Sequence, residues 1–203
     1  MHYLSGLKLA KDNNKQKVES SILNNIGNLY FLKGSYENAL KYYSESLEIW
    51  REINDLKGMA STLGNMGNIA NIKDLDLALK YYNESLEISK KLGQEENIST
   101  TLNNIGNIHR SRGEFSEALA KQQKALEIDR KRGDLYGMSY SYSSIALIYT
   151  NIKKYDSALY YSFKLKSIAD SLNSLSRKRV AYMRLSNAYA AKKDFETALK
   201  YRK

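Results

Sequence analysis

The amino-acid sequence predicts an all-α fold, an α-solenoid built from stacked antiparallel helix pairs. Three observations predict it: an internal repeat of about 40 residues, two stretches of helical apolar spacing in each repeat, and the absence of proline from all 203 residues. Proline breaks the interior of a helix, so a chain made almost wholly of helices is expected to avoid it.

Two landmarks define the repeat. The segment Asn25-Ile26-Gly27-Asn28 recurs as Asn-Met-Gly-Asn at 65–68 and as Asn-Ile-Gly-Asn at 104–107, at offsets of 40 and 39 residues. The second landmark is an Ala-Leu pair that begins at Ala39, Ala78, Ala118, Ala158 and Ala198. In the second copy the two landmarks lie one residue closer together than in the others, so a deletion at 73–75 explains the shorter offset.

Each copy predicts two helices. In the first copy, apolar residues recur at helical spacing from Ile22 to Tyr30 and again from Ala39 to Ile49, and Gly34-Ser35 separates the two stretches. First helices are predicted near 16–33, 56–72, 95–112, 135–152 and 175–192. Second helices are predicted near 36–53, 75–92, 115–132 and 155–172, and another is predicted to start near 195.

The repeats are predicted to form one array over 1–203. Its complete copies are 16–55, 56–94, 95–134 and 135–174, followed by a partial copy at 175–203. Residues 1–14 align with the end of a second helix, so they are expected to end a preceding repeat. Neither end resembles the polar cap that finishes a solenoid. The chain is therefore interpreted as a fragment of a longer protein, with a naturally short chain as the alternative.

Composition argues against several kinds of chemistry. There is no cysteine, and His2 and His109 are the two histidines, so metal sites and nucleophiles built on these residues are not expected. No Gly-rich phosphate loop or other catalytic motif appears. The sequence predicts a protein that is not an enzyme and uses no cofactor or metal. No apolar run reaches the roughly 18 residues of a membrane span. We expect the cytoplasm, or the periplasm if a leader precedes this segment.

The repeat resembles the tetratricopeptide repeat over essentially the whole chain. Small residues match the small position of the family's first helix at Gly27, Gly67, Gly106, Ala146 and Ser186. The Ala landmark is similar to the small position of the second helix. An aromatic residue that opens the second helix is matched at Tyr36, Phe115, Tyr155 and Phe195, and Leu75 replaces it in the second copy. The longer repeat is similar to kinesin light chains, spindle-orientation Leu-Gly-Asn adaptors and bacterial peptide-sensing regulators. This resemblance implies a right-handed superhelix.

Two departures from the family pattern are visible. The proline that usually ends the second helix is absent from every copy. Lys166 takes the place that Leu47, Leu86 and Leu126 hold in their copies. Either Leu165 or Phe163 is expected to fill that space in the core.

In the family, one face of the first helices lines a concave groove that binds peptides. The resemblance places polar and aromatic residues on this face, and the candidates are Asn25, Asn28, Asn65, Asn68, Asn104, Asn107, Arg110, Tyr140, Arg184 and Asn187. An Asn amide both donates and accepts, so a ladder of amides can pair with an extended peptide main chain. Asn is a poor helix former, which favours this interpretation. The alternative is structural, because Asn beside Gly can satisfy turns or hold repeats together.

The leading hypothesis is a protein–protein interaction scaffold that binds an extended peptide. Arginine forks onto carboxylates, so Arg110 and Arg184 suggest an acidic feature in that protein or peptide ligand. The alternative is a sensory or regulatory input domain of a larger bacterial signalling protein, such as a histidine kinase or a transcription regulator. The open ends are expected to allow weak self-association.

Charge does not favour nucleic acid as the partner. The net charge is +10, but residues 175–203 contribute nine basic and two acidic residues, so most of the excess lies in the last copy. Nucleic-acid binding calls for a basic stripe along a continuous surface.

Overall fold

The computed structural model describes residue 10 and residues 15–202, which contain ten α-helices and no strand. The helices are α1 (Gln16–Leu32), α2 (Tyr36–Glu52), α3 (Leu56–Ala70), α4 (Leu75–Lys91), α5 (Glu95–Ser111), α6 (Phe115–Arg132), α7 (Leu135–Asn151), α8 (Tyr155–Ser171), α9 (Leu175–Ala191) and α10 (Phe195–Lys200). The predicted all-α class is confirmed, and the predicted helices agree within two residues at their ends. The expectation for residues 1–14 lies outside the described residues, apart from Ala10.

The chain divides into two compact units, with the boundary between Thr101 and Leu102 inside α5. Unit 1 holds α1 to α4 with the first turns of α5, and unit 2 holds the rest of α5 with α6 to α10. The repeat boundaries and the single array remain predictions.

Unit 1 packs tyrosine rings onto glycines. A Cβ on Gly27 would lie 2.5 Å from the ring of Tyr43, and a Cβ on Gly67 would lie 2.6 Å from the ring of Tyr82. Both rings are buried, each on the second helix of its pair. The absence of a side chain at the first-helix landmark therefore lets the ring approach the backbone.

Unit 2 fills the corresponding positions with smaller or polar groups. Gly106 faces Gln122, and a Cβ on Gly106 would lie 2.9 Å from the Gln122 Nε2. In the next copy the same two positions are Ala146 and Ser162, both buried. The first helix thus gains a Cβ where the second helix loses a bulky side chain, which keeps the core filled.

The core of unit 2 also settles which residue replaces the missing leucine of α8. Leu165 is 0% exposed and packs with Tyr142 and Ile145, whereas Phe163 is 42% exposed. Lys166 points instead toward Asp170, with 2.8 Å between Nζ and Oδ2. Leu165 fills the core in this copy.

Turns between helices commonly use one residue in the left-handed region. Glycines take this conformation at Gly34, Gly93, Gly113 and Gly133, and other residues take it at Asn54, Lys153, Asn173 and Lys193. The described turn 71–74 has no such residue. It is the turn where the sequence predicts a deletion. Among the helices that the structure describes, none is long and apolar enough to cross a membrane.

Candidate functional site

Side-chain amides connect α1 and α3 in unit 1. The Asn65 Nδ2 donates to the Asn24 Oδ1 and the Asn28 Oδ1, at 3.3 Å in each case. The Thr62 hydroxyl also donates to the Asn24 Oδ1 at 3.3 Å. The Tyr43 hydroxyl donates to the Asn28 Oδ1 at 2.6 Å, which ties the amide to α2. Each of these amides is therefore held by groups of its own unit.

In each of these three Asn side chains, one of the two amide atoms takes no part in the network. Within residues 15–202, the Nδ2 groups of Asn24 and Asn28 and the Oδ1 of Asn65 have no hydrogen-bond partner. The unpaired groups are two donors on α1 and one acceptor on α3. An extended peptide offers the complementary C=O and N–H groups.

A cavity of about 380 Å³ lies beside the amides. Asn24, Asn25 and Thr62 line it together with Trp50 and Ser61. Asn25 is exposed and makes no hydrogen bond through its side chain within the described part of the chain. The cavity has room for a side chain next to the amide network.

Buried tyrosines orient Asn28 and Asn68, which hold one position of the repeat together with Asn107 and are here named the Asn row. Asn68 is exposed, and its Oδ1 accepts a 2.6 Å hydrogen bond from the Tyr82 hydroxyl, as Asn28 does from Tyr43. Burial raises the pKa of Tyr43 to about 12 and also raises the pKa of Tyr82. Both hydroxyls therefore keep the proton that they donate at neutral pH.

Hydroxyls and a glutamine surround the amides of unit 2. The Asn107 Oδ1 accepts from the Ser144 hydroxyl at 3.1 Å and from the Gln122 Nε2 at 3.4 Å. The Asn103 Oδ1 accepts from the Ser141 hydroxyl at 3.0 Å. Asn107 thus takes the place of Asn28 and Asn68 in the repeat, with Gln122 in the place of the tyrosine.

Two arginines lie half-buried in unit 2. The Arg184 Nε donates to the Ser143 hydroxyl at 3.0 Å. The Nε of Arg110 is buried and has no hydrogen-bond partner in the described part of the chain. The pKa of Arg184 is lowered by burial and by the positive charge of Arg110. Neither arginine pairs with a carboxylate among the described residues.

The remaining candidates lie on α5, α7 and α9. Tyr140 is 56% exposed, and the guanidinium of Arg177 lies 3.8 Å above the centre of its ring. Asn104 is half-buried on α5. Asn187 is exposed on α9 and lines a cavity of about 640 Å³ with basic and apolar neighbours. The structure therefore covers one face of Tyr140 with a cation.

The groups that hold the Asn row were not predicted from the sequence. These partners are Tyr43, Tyr82 and Gln122, and each lies four residues after the Ala landmark of its copy. The constant offset is a signal that could have found them. The approach of Arg184 to Ser143 has no comparable sequence signal.

The family model of the tetratricopeptide repeat matches residues 18–91, 58–131 and 97–162. The chain belongs to the tetratricopeptide repeat family. Proteins of this family are protein-interaction scaffolds, and the fold is generally non-catalytic. No curated protein matches the chain in sequence.

Solved structures show the same tetratricopeptide repeat architecture. BtubC (BKLC) from P. vanneervenii is 19% identical with a TM-score of 0.82, over 98% of this chain and 83% of that one. A Rap protein complexed with competence and sporulation factor is 18% identical with a TM-score of 0.78, over 96% of this chain and 55% of that one. These two likenesses concern the fold.

A third structure is a Signal Transduction ATPase with Numerous Domains (STAND) protein with a tetratricopeptide repeat sensor, from Pyrococcus horikoshii. It is 26% identical with a TM-score of 0.84, over 96% of this chain. The chain spans 31% of the length of that protein.

Proposed function

We propose that the chain is a protein-interaction module whose unit 1 binds an extended peptide through its main chain. The observation that carries this proposal is the set of two donors and one acceptor formed by the Asn24 Nδ2, the Asn28 Nδ2 and the Asn65 Oδ1. The peptide would run across α1 and α3, with its C=O and N–H groups paired to these atoms.

Preorganisation makes these amides suitable for binding. Asn28 is held by Tyr43 and Asn65 through its Oδ1, so its Nδ2 is fixed in direction before a ligand arrives. Binding then costs little side-chain entropy, which would otherwise amount to about 0.5–1.5 kcal/mol for each ordered side chain. The structural and binding roles of this Asn are compatible, because each uses a different atom of the amide.

The cavity beside the amides supplies a place for selection. Main-chain pairing is nearly independent of sequence, so a preference among peptides must come from side-chain contacts. Asn25, Ser61 and Trp50 would contact a ligand side chain in the cavity of about 380 Å³. The lining also holds the charged side chains of Lys17, Asp55 and Lys57, so it suits a side chain with an apolar body and a polar or charged tip. The roles of the candidates outside unit 1 stay predictions.

The test begins with selection from a random peptide display library on the whole chain. The enriched peptide is then made with single alanine substitutions and with single backbone N-methyl groups. We expect N-methylation at the contacted positions to weaken binding about ten-fold or more, because it removes a main-chain donor and adds a clash. Alanine should have a large effect only at the residue that enters the cavity. Failure of any peptide to enrich overturns the proposal.

Asn28→Asp tests the amide directly. The carboxylate still accepts from Tyr43 and Asn65, but it replaces the outward Nδ2 donor with an acceptor that repels a peptide C=O. We expect an affinity loss of about ten-fold or more with the fold retained. Asn83→Asp is the control, since Asn83 is exposed on α4 and the substitution adds the same charge. Equal binding by the parent and the Asn28→Asp variant would show that this amide is only structural.

One comparison favours a second candidate function, a sensory input module of a larger signalling protein. It is the likeness to the tetratricopeptide repeat sensor of the STAND protein. A sensor must change conformation when its ligand binds, whereas a scaffold need not. The chain lacks cysteine, so spin labels at Glu48→Cys and Lys164→Cys would report a change in distance on addition of the selected peptide. An unchanged distance favours the scaffold.

A further inference from the structure

The last described helix, α10, is shorter than the other second helices and covers the second half of α9. It runs over Phe195–Lys200, whereas α2, α4 and α8 each hold 17 residues. The contact between the two helices includes a 2.9 Å hydrogen bond from the Ser186 hydroxyl to the Ala198 carbonyl. A cavity of about 640 Å³ extends along α9 as far as Leu175, and Tyr201 also lines it. We call this cavity the α9 groove.

Two groove positions are buried in the other first helices. The counterparts of Tyr182 are at most 5% exposed, whereas Tyr182 is 37% exposed. The counterparts of Arg179 are small and buried, whereas Arg179 is exposed. In α1, α3 and α7 these counterparts are Leu23, Leu63 and Tyr142 for the first position, and Ser20, Ala60 and Ser139 for the second. A second helix covers the position in α1, where the Ser20 hydroxyl donates to the Ser46 carbonyl at 2.8 Å. The α9 groove therefore has the shape of a helix-binding site.

Arg179 determines which kind of helix fits the groove. A helix of the usual repeat packs against a small residue at this position, and here it would bury a guanidinium group, which is unfavourable without an anion. Within residues 15–202, the side chains of Arg179 and Arg202 form no ion pair and no hydrogen bond. Both line the groove together with Lys178. A helix that covers this surface must therefore bring carboxylates to it.

We propose that the α9 groove docks an acidic amphipathic helix of a partner polypeptide. The rings of Tyr182 and Tyr201, with 6.1 Å between their centres, form an apolar floor for the partner helix. Carboxylates beside its apolar face would pair with Arg179 and Arg202, since a guanidinium fits a carboxylate through two parallel hydrogen bonds. The groove follows α9 from 175 to 187, which is about 18 Å and matches about three turns of a docked helix. The apolar residues of the lining are Leu175, Tyr182, Met183 and Tyr201.

Charge argues against a second copy of the chain in this groove. Residues 175–203 carry nine basic and two acidic residues, so two such surfaces repel each other. A nucleic acid would bring phosphates to the cations, but it offers no aliphatic side chains to pack on Leu175 and Met183. The proposal goes beyond peptide binding by unit 1 and does not depend on it.

Fluorescence anisotropy of labelled probes, measured on the whole chain, tests the proposal. The main probe is a peptide of about 14 residues with Leu along one helical face and Glu and Ala elsewhere. Four probes are compared with it: the same peptide with Lys for every Glu, the same composition with Leu spread around the helix, a peptide of α3 (Leu56–Ala70) as a helix of the repeat, and a single-stranded oligonucleotide. We expect the main probe to bind at least about ten-fold more tightly than each of the four.

The comparison probes define the results that overturn the proposal. Equal binding of the peptide with scattered Leu would mean attraction by charge alone. Tighter binding of the α3 peptide would assign the groove to another repeat, and tighter binding of the oligonucleotide would assign it to nucleic acid. Absence of binding by the main probe up to about 1 mM also overturns the proposal.

Matched variants locate the docked helix. Arg179→Glu should weaken binding of the acidic peptide about ten-fold or more and strengthen binding of the Lys peptide. Lys124→Glu makes the same change of charge at an exposed position on α6 and should change either affinity less than about two-fold. Met183→Ser keeps the charge and should weaken the acidic peptide about ten-fold, because an apolar contact is lost. An equal loss in Lys124→Glu and Arg179→Glu would show diffuse attraction and overturn the proposal.

Thermal unfolding and sedimentation separate docking from two other roles of the groove. Arg179→Ser introduces the small residue of the other copies at an exposed position, so the melting temperature of the unbound chain should not fall. The acidic peptide should raise the melting temperature of the parent more than that of this variant. A marked fall in the unbound variant would assign Arg179 to the fold of α9 and overturn the proposal. A dimer of the unbound chain that Met183→Ser dissociates in sedimentation would assign the groove to a second copy and also overturn it.

Discussion

The two units use the same helix pair to present different chemistry. In unit 1 the first-helix face carries amides that bond to each other and to tyrosine hydroxyls. In unit 2 the first-helix face carries serines and two arginines without carboxylate partners among the described residues. The Ala landmark of the second helices lies inside the pairs and stays constant, while the first-helix face varies from copy to copy.

The same difference continues into the core. Unit 1 places tyrosine rings against glycine at both of its pairs, and their hydroxyls reach the Asn row on the surface. In unit 2, the side chain of Gln122 on α6 reaches Asn107. The shorter Ser162 on α8 instead donates its hydroxyl to the Ala158 carbonyl of its own helix. In these three copies a long core side chain thus reaches the Asn of the first helix. The copy that has Ser162 instead carries Leu147 at the Asn position.

The largest expected effect concerns how α8 of unit 2 fills its core. Leu165 lies one position earlier than the leucines at 47, 86 and 126 in the repeat, and it is fully buried. Leu165→Ala should lower the free energy of unfolding by about 2–5 kcal/mol, because it removes apolar contacts and leaves a cavity. Urea unfolding followed by far-UV circular dichroism measures it.

Phe163→Ala is the matched comparison for Leu165→Ala. Phe163 lies on the same helix but is 42% exposed, so its truncation should cost less than about 1 kcal/mol. If the two substitutions were equally destabilising, Phe163 and Leu165 would share the role that one leucine has in the other copies.

A smaller effect is expected from Gly67→Ala in unit 1. The new Cβ would lie 2.6 Å from the buried ring of Tyr82, so the ring must move. Overpacking of this kind costs about 1–3 kcal/mol, which exceeds the gain of about 1 kcal/mol from a better helix former. Trp50 is the single tryptophan and is buried in unit 1, so its fluorescence during urea unfolding reports this unit.

Gly64→Ala provides the control within α3. A Cβ at Gly64 would meet the Ser85 Oγ at 3.8 Å, an ordinary contact. This substitution should stabilise unit 1 by up to about 1 kcal/mol through helix propensity alone. Destabilisation by both alanines would show that helix propensity and crowding are not separable in α3.

Sequence periodicity was sufficient for the helices because each one repeats a strong apolar pattern. The family resemblance predicted a ligand-binding face that includes Asn28, Asn65 and Arg184, and their role in binding stays a prediction. The periodicity could not choose between Leu165 and Phe163, since both are apolar and each lies close to the position of the missing leucine. The hydrogen bonds from Tyr43 to Asn28 and from Arg184 to Ser143 depend on how the helices pack against each other. The spacing of apolar residues along the sequence does not specify that packing.

The smallest expected effect is a loss of stability in unit 1 at alkaline pH. Burial raises the pKa of Tyr43 to about 12, above the ordinary value of 10.0 that it has when unfolded. Its contribution is fully present below pH 10 and is lost as the pH rises to about 12, because only the unfolded chain can release the proton. By about pH 11 Tyr43 alone should account for about 1 kcal/mol of the loss. Tyr82, whose pKa burial also raises, adds to the loss of unit 1. The Trp50 emission maximum during urea unfolding measures it.

Tyr43→Phe assigns this pH dependence to one group. The variant loses the hydrogen bond to Asn28, so it should be less stable than the parent near neutral pH by about 1 kcal/mol. It should then lose less stability than the parent between about pH 9 and 11, since phenylalanine has no proton to release. Tyr160→Phe alters an exposed ring in unit 2 and should leave the alkaline slope of unit 1 unchanged. The same slope in the parent and in Tyr43→Phe would mean that the buried hydroxyl does not set the alkaline limit of unit 1. The contrast with Gln122, which cannot ionise, would then be one of packing alone.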